Sequence, residues 1–121
     1  MHYTLLCYHR EDVVSAWTKE EDDAVMARLM VVHERLVAEG RLGPSARLLP
    51  TTSATTLRKD GEPVVLDGPF AETKEQLLGF YLLDVADLDA ALGIARELAA
   101  ANPGGAYEIR PVGAYFPGGF G

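Results

Sequence analysis

Two kinds of apolar pattern, one close to period two and one close to period three and a half, alternate along this chain and predict the order of its elements. Met1 to His9 alternates imperfectly, with Tyr3, Leu5 and Cys7 on one side and Leu6 and Tyr8 on the other. Such a strand is partly covered on both faces. The following "REDVVSAW" has no clean period and reads as a connection. Thr18 with Glu21 three residues later has the form of a capping box, in which hydroxyl and carboxylate each satisfy a free backbone donor at a helix start. From about Lys19 to Glu39, Val25, Leu29, Val32 and Leu36 make one helical stripe and Met26, Met30, His33 and Val37 the adjacent one, until Gly40 stops the helix.

The middle of the chain changes period again. "RLGPSARLLP" is an extended segment ending at Pro50, and "TTSATTLRKDGEPVVLD" reads as a hairpin with Asp60-Gly61 at its tip. Its Thr-rich arm has strand propensity but few large apolar groups, which suits an edge or an exposed ribbon. Asp67 to Phe70, "DGPF", is a tight turn with Gly68 forced into an extended or glycine-only conformation before proline and Phe70 available to plug the core. Leu77 to Val85 is the strongest strand, with Leu78, Phe80 and Leu82 facing one way and Leu77, Tyr81 and Leu83 the other. Asp87 caps a second helix whose expected buried stripe is Leu88, Ala91, Leu92, Ala95, Leu98 and Ala99, weakened at Gly93 by about 1 kcal/mol relative to alanine. "NPGG", Asn102 to Gly105, ends it, and "AYEIRPV" is a last strand. Residues 113–121, rich in Gly and Pro, form a partly ordered tail that either crosses to a partner or frays.

These elements make one domain, residues 1–121, of the α+β class: a ferredoxin-like βαββαβ plan with an inserted β-hairpin. Both helices of that plan lie on one face of the sheet, yet two of the strands are apolar on both faces. A second copy of the same sheet is the simplest cover, so a homodimer packed sheet to sheet is expected.

Composition narrows the function classes. Eleven basic against eighteen acidic residues, without a basic patch, argue against nucleic acid as a partner. The acidic run "KEEDD" falls at a helix start, where it suits the positive end of the helix dipole. No segment approaches the run of about twenty apolar residues that a membrane span needs, and the N-terminus lacks the pattern of a signal peptide, so a cytoplasmic location is expected. Cys7, the single cysteine, cannot form an internal disulfide and reads as a small buried hydrophobe.

The run "DGPFAETKEQLLGFYLLDVADLDAAL" resembles the DGPF-type members of the YCII-related family: Asp67-Gly68-Pro69-Phe70, Glu72-Thr73-Lys74-Glu75, Gly79-Phe80-Tyr81 and the helix start Asp87-Leu88-Asp89 occur together and in order. The resemblance extends from "YTLLCY" to "YEIRPV". It implies a ferredoxin-like fold assembled as a dimeric α/β barrel. It also implies kinship with lactone-processing dehydrochlorinases that use a proposed histidine and aspartate, and an association with sigma-factor systems.

Among the residues themselves, His33 on the inner stripe of the long helix is either a general base facing a pocket or a core histidine with a satisfied ring. Asp67 is either its acid/base companion or a turn carboxylate. Glu72, Thr73, Lys74 and Glu75 either line the mouth of a barrel or fix their own loop, and Tyr81 either presents its hydroxyl to the same cleft or is a core tyrosine. His2 and His9, with Asp12, Glu34 and Asp67, show no recurrent metal-ligand spacing, so no metal site is expected. Two functions fit: acid/base chemistry on a lactone- or enol-type metabolite by His33 and Asp67, needing no cofactor, or a non-catalytic ligand-binding or regulatory dimer.

Overall fold

The computed structural model describes residues 1–119. Strand β1 (His2–His9) leads through a short helix α1 (Glu11–Val14) to the long helix α2 (Lys19–Ala38) and strand β2 (Leu42–Arg47). A 3₁₀ turn at Thr51–Ser53 precedes β3 (Thr55–Arg58) and β4 (Val64–Asp67); then come β5 (Gln76–Asp84), helix α3 (Leu88–Ala101) and β6 (Ala106–Pro111). Four strands form an antiparallel sheet in the order β2-β5-β1-β6, and β3 with β4 forms a separate ribbon inserted between β2 and β5. This is the α+β, ferredoxin-like plan expected from the sequence. No helix among the described residues is long and apolar enough to cross a membrane.

Local chemistry sets the helix starts. Thr18 Oγ1 accepts from the Glu21 N–H at 3.1 Å and the Thr18 N–H donates to the Glu21 carboxylate at 3.4 Å, completing the capping box. Asp87 Oδ1 accepts from the Ala90 N–H at 2.9 Å to begin α3. The segment "REDVVSAW" is not a plain connection: it holds α1, a single turn too short for any periodicity to reveal. In α3 the buried residues are Ala91, Ile94, Ala95, Leu98 and Ala101, so the face is rotated from the expected one. Leu88, in the first turn, is half exposed, and Ala99 is exposed. On α2 the first stripe is inward as expected, with Val25, Leu29 and Leu36 buried, whereas Met30 and Val37 stand at the rim and are exposed.

The helix-facing side of the sheet is built in rows. Tyr3 lies across from Leu83, and Leu5 lies between Tyr81 and Ile109. These large side chains pack with Leu36, Ile94 and Leu98 into one apolar cluster. The next row is Gly79, Cys7 and Tyr107, in which two of three residues are small. A Cβ on Gly79 would stand 2.6 Å from the Ala46 carbonyl oxygen, so this glycine also permits β2 to approach β5. On the opposite face Leu6 pairs with Phe80, which remains partly exposed.

The ribbon contributes no buried residue. Phe70 accordingly does not plug the core; it is exposed, with the Arg58 guanidinium 5.6 Å from its ring centroid. Just before the tail the Val112 N–H donates to His2 O at 2.9 Å, and within it the Tyr115 ring lies 4.1 Å from the His2 ring, with no regular element as far as Gly119. Phe120 and Gly121 lie outside the described residues.

Two glycines test this packing in opposite directions. Gly79→Ala is expected to destabilise the fold by about 1–3 kcal/mol, because backbone must shift to admit the methyl. Gly93→Ala, inside α3 with nothing within 4 Å of the added Cβ, is expected to stabilise it by about 0.5–1 kcal/mol. Urea denaturation of both variants reads the two signs directly.

Candidate functional site

Because the row Gly79, Cys7 and Tyr107 is low, the N-terminal half of α2 cannot close onto the sheet, and a cavity of about 390 Å³ remains between them. Trp17, Val25, Met26, Leu29 and Met30 give it apolar walls. Trp17 is placed by the turn after α1, its N–H donating to Val14 O at 3.1 Å, and its ring meets His9 edge to face at 6.1 Å. On the β2 side, Arg47 donates to both oxygens of Asp22, at 2.6 and 3.2 Å, tying the start of α2 to the sheet edge. Both residues line the cavity, and each holds the other charged: Arg47 pulls Asp22 below the usual carboxylate range.

Deeper in, the polar groups are neutral. His33 Nε2 lies 3.3 Å from Tyr81 OH, with the two rings edge to face at 5.2 Å. Burial lowers the His33 pKa below its ordinary 6.5, so the ring is uncharged at pH 7. Burial also raises Tyr81, helped by Tyr107 and Cys7, and pushes the Cys7 thiol up to about 12. Tyr107 is pushed up to about 12 by burial and then by Cys7, while the Asn102 side chain beside its hydroxyl pulls the other way. Asn102 and Tyr107 are thus close, yet Asn102 Oδ1 and Tyr107 OH are both buried without a hydrogen-bond partner.

The turn "NPGG" brings these last two together. Asn102 caps α3, its N–H donating to Leu98 O at 3.0 Å. Gly104 and Gly105 both have positive φ, 93° and 76°, and fold the chain sharply back into β6. A Cβ on Gly105 would meet Tyr8 O at 2.2 Å, so only glycine lets the turn lie this close to β1.

The residues singled out from the sequence divide between places. His33 and Tyr81 share the cavity. Asp67 does not join them: it pairs with Thr55 in the ribbon, and its turn is held by the Gly68 N–H donating to Ala54 O and by Thr56 Oγ1 donating to Gly68 O, each at 2.8 Å. Thr73 and Lys74 line a separate surface depression with Arg10, Glu11, Asp12 and Gln76. Glu72 and Glu75 are exposed and line neither. Thr73 Oγ1 donates to Glu75 O and Gln76 Nε2 to Thr73 O at 2.8 Å, so this loop is tied to itself. Among the described residues, no three of His, Cys, Asp and Glu converge as metal ligands.

Sequence reasoning did not reach Trp17, Asn102, Tyr107 or the Asp22–Arg47 pair. Tyr107 and the Asp22–Arg47 pair owe their places to long-range pairing, whereas Asn102 had one local signal: two consecutive glycines after Asn102-Pro103 exceed what a helix stop requires.

What the geometry can do is hold a mainly apolar molecule against a neutral histidine. A family model for the YCII-related domain matches residues 1–114. An uncharacterised protein of Rhizobium meliloti is 60% identical over 120 residues, covering 98% of this chain and 97% of that protein. The chain belongs to the YCII-related family.

Proposed function

We propose that this chain, a DGPF-type member of its family, works in the cytoplasm as a homodimer whose cavity takes up a small, mainly apolar metabolite. There it moves a proton by cofactor-free acid/base chemistry of the lactone or enol type. The observation that carries the reading is the neutral His33 within hydrogen-bond reach of Tyr81 in a cavity large enough for such a molecule. His33 is the base, and the Tyr81 hydroxyl, kept protonated by burial, is the donor to a substrate oxygen. Asp67 and the loop Glu72 to Glu75 have no part in this proton step.

A second reading, a non-catalytic ligand-binding or regulatory dimer, is favoured by one observation: among the described residues the one carboxylate that lines the cavity, Asp22, is engaged by Arg47 and not by His33.

Deuterium incorporation α to the carbonyl of a β,γ-unsaturated butenolide, followed by NMR in heavy water, separates the two. Protein-dependent exchange is expected, reduced by about 10²–10⁴ in His33→Gln. Its rate rises with pH through the lowered His33 value and levels above it, since only the neutral ring accepts a proton. Binding of the butenolide without exchange sinks the catalytic reading in favour of the second.

The same shift has a stability consequence. The unfolded chain takes up the His33 proton near 6.5 and the folded chain only at lower pH, so stability rises with pH between the lowered value and 6.5 and is fully present above it. Urea titrations across that window are expected to show this slope in the wild type and a flatter one in His33→Gln.

The dimer is supported by apolar side chains on the helix-free face, Leu6 and Phe80 among them, and by the exposed Leu57, Val65 and Leu66 of the ribbon. Light scattering at micromolar concentration is expected to give twice the mass of one chain, and Phe80→Glu to give the monomer. A wild-type monomer would refute it.

A further inference from the structure

Among the described residues, the buried side-chain polar atoms left without a partner are Asn102 Oδ1 and Tyr107 OH, and both residues line the cavity. Burying such atoms unpaired is unfavourable, and the packing of the Tyr107 ring against the core does not call for its hydroxyl. Their placement is nevertheless elaborate. Gly104 and Gly105 turn the chain back so that the last residue of the α3 cap and the second residue of β6 meet. Arg28 of α2 donates to Ala101 O at 3.1 Å, holding the end of α3 next to that turn.

We infer that Asn102 and Tyr107 form a recognition subsite for an uncharged group in which an O–H or N–H donor sits beside a carbonyl acceptor. The inference rests on the cavity being a ligand site, as proposed above, but not on proton transfer at His33. The donor of such a group meets Asn102 Oδ1, and its carbonyl accepts from Tyr107 OH. The cavity's electrostatics select against the ionised alternative. Arg47 is committed to Asp22 through both oxygens, and the burial that keeps His33, Tyr81, Tyr107 and Cys7 neutral disfavours a bare carboxylate in the same way. The rings of Tyr81 and Tyr107, on the two strands that flank β1, meet edge to face with centroids 6.3 Å apart. The ligand class is therefore a neutral hydroxy-carbonyl or amide compound with an apolar body against Met26, Leu29 and Trp17.

Four probes of one shape test this by calorimetric titration of the full chain at pH 7.5: 3-phenylpropanamide, 1-hydroxy-4-phenylbutan-2-one, methyl 3-phenylpropanoate and 3-phenylpropanoate. The amide or the hydroxyketone, whichever is the better mimic, is expected to bind about tenfold more tightly than the ester, with the carboxylate weakest. Tyr107→Phe and Asn102→Leu are each expected to bring that preference below about threefold. Tyr107→Phe removes a hydroxyl that has no partner, so its melting temperature without ligand is expected to equal or exceed that of the wild type. Equal binding of the carboxylate, an undiminished preference in both variants, a lowered melting temperature of Tyr107→Phe, or no saturable binding of any probe overturns the inference. The preference persisting where butenolide exchange is absent leaves the subsite standing and removes only the proton-transfer reading.

Discussion

Everything at the candidate site depends on one steric constraint, the close approach of β2 to β5 at Gly79. The Ala46 carbonyl stands where a Cβ would be, so position 79 has no room for a side chain, and the sheet is correspondingly low at that point. Cys7 beside it extends the low region by one strand. Helix α2 is continuous from Lys19 to Ala38 and cannot bend down to fill the gap. Its C-terminal half is pressed onto the large residues of the neighbouring rows, with Leu36 fully buried, while its N-terminal half bridges the depression. The Asp22–Arg47 pair fastens that free half to the sheet edge. A cavity thus follows from the difference in side-chain size between adjacent rows of one sheet.

The same burial governs the chemistry. In a cavity walled by Trp17, Leu29 and two methionines, burial drives Cys7, Tyr81 and Tyr107 upward and His33 downward, each toward its neutral form. The one charged pair at the wall neutralises itself internally. Around His33, Tyr81 and Tyr107 the site therefore presents neutral hydrogen-bonding groups, a combination that discriminates by donor and acceptor position rather than by charge.

Local signals in the sequence were strong where a few adjacent residues decide the outcome. Thr18 and Glu21 specify the start of α2, Asp87 the start of α3, and Asp60-Gly61 the ribbon tip, each by chemistry spanning a handful of positions. The two-faced pattern of β1 and β5 likewise made them central strands. The face of α3 was less legible, because its residues are nearly all apolar and alternative stripes differ little; only packing against the sheet selects Ile94 over Leu92. Phe70 looked like a core residue by composition, and its exposure follows from the ribbon's standing apart from the core. Of the site, His33 and Tyr81 were visible as polar groups on apolar faces. The cavity itself was not, because it requires the register that sets Cys7 against Gly79 and Tyr107, a fact of pairing rather than of any one segment.

Among the described residues no carboxylate is hydrogen-bonded to His33, which on the proposed reading would limit the reactions the cavity could serve. When a neutral imidazole removes a proton from a carbon acid, an imidazolium and an enolate appear together in surroundings that disfavour both charges. A histidine paired with an aspartate has its cation stabilised from behind; here the group in reach is the Tyr81 oxygen, which remains a neutral phenol. The enolate must then act as the imidazolium's counterion, and a hydroxyl must donate to the enolate oxygen as its charge develops. Tyr81 supplies that donor when His33 Nε2 carries the proton and donates to the phenol oxygen, since the phenolic hydrogen is then free to point into the cavity, leaving Nδ1 as the base. On the proposed reading, such an arrangement would suit carbon acids made more acidic by conjugation, as in an unsaturated lactone or an enolisable hydroxy-carbonyl, in which the charge spreads over several atoms.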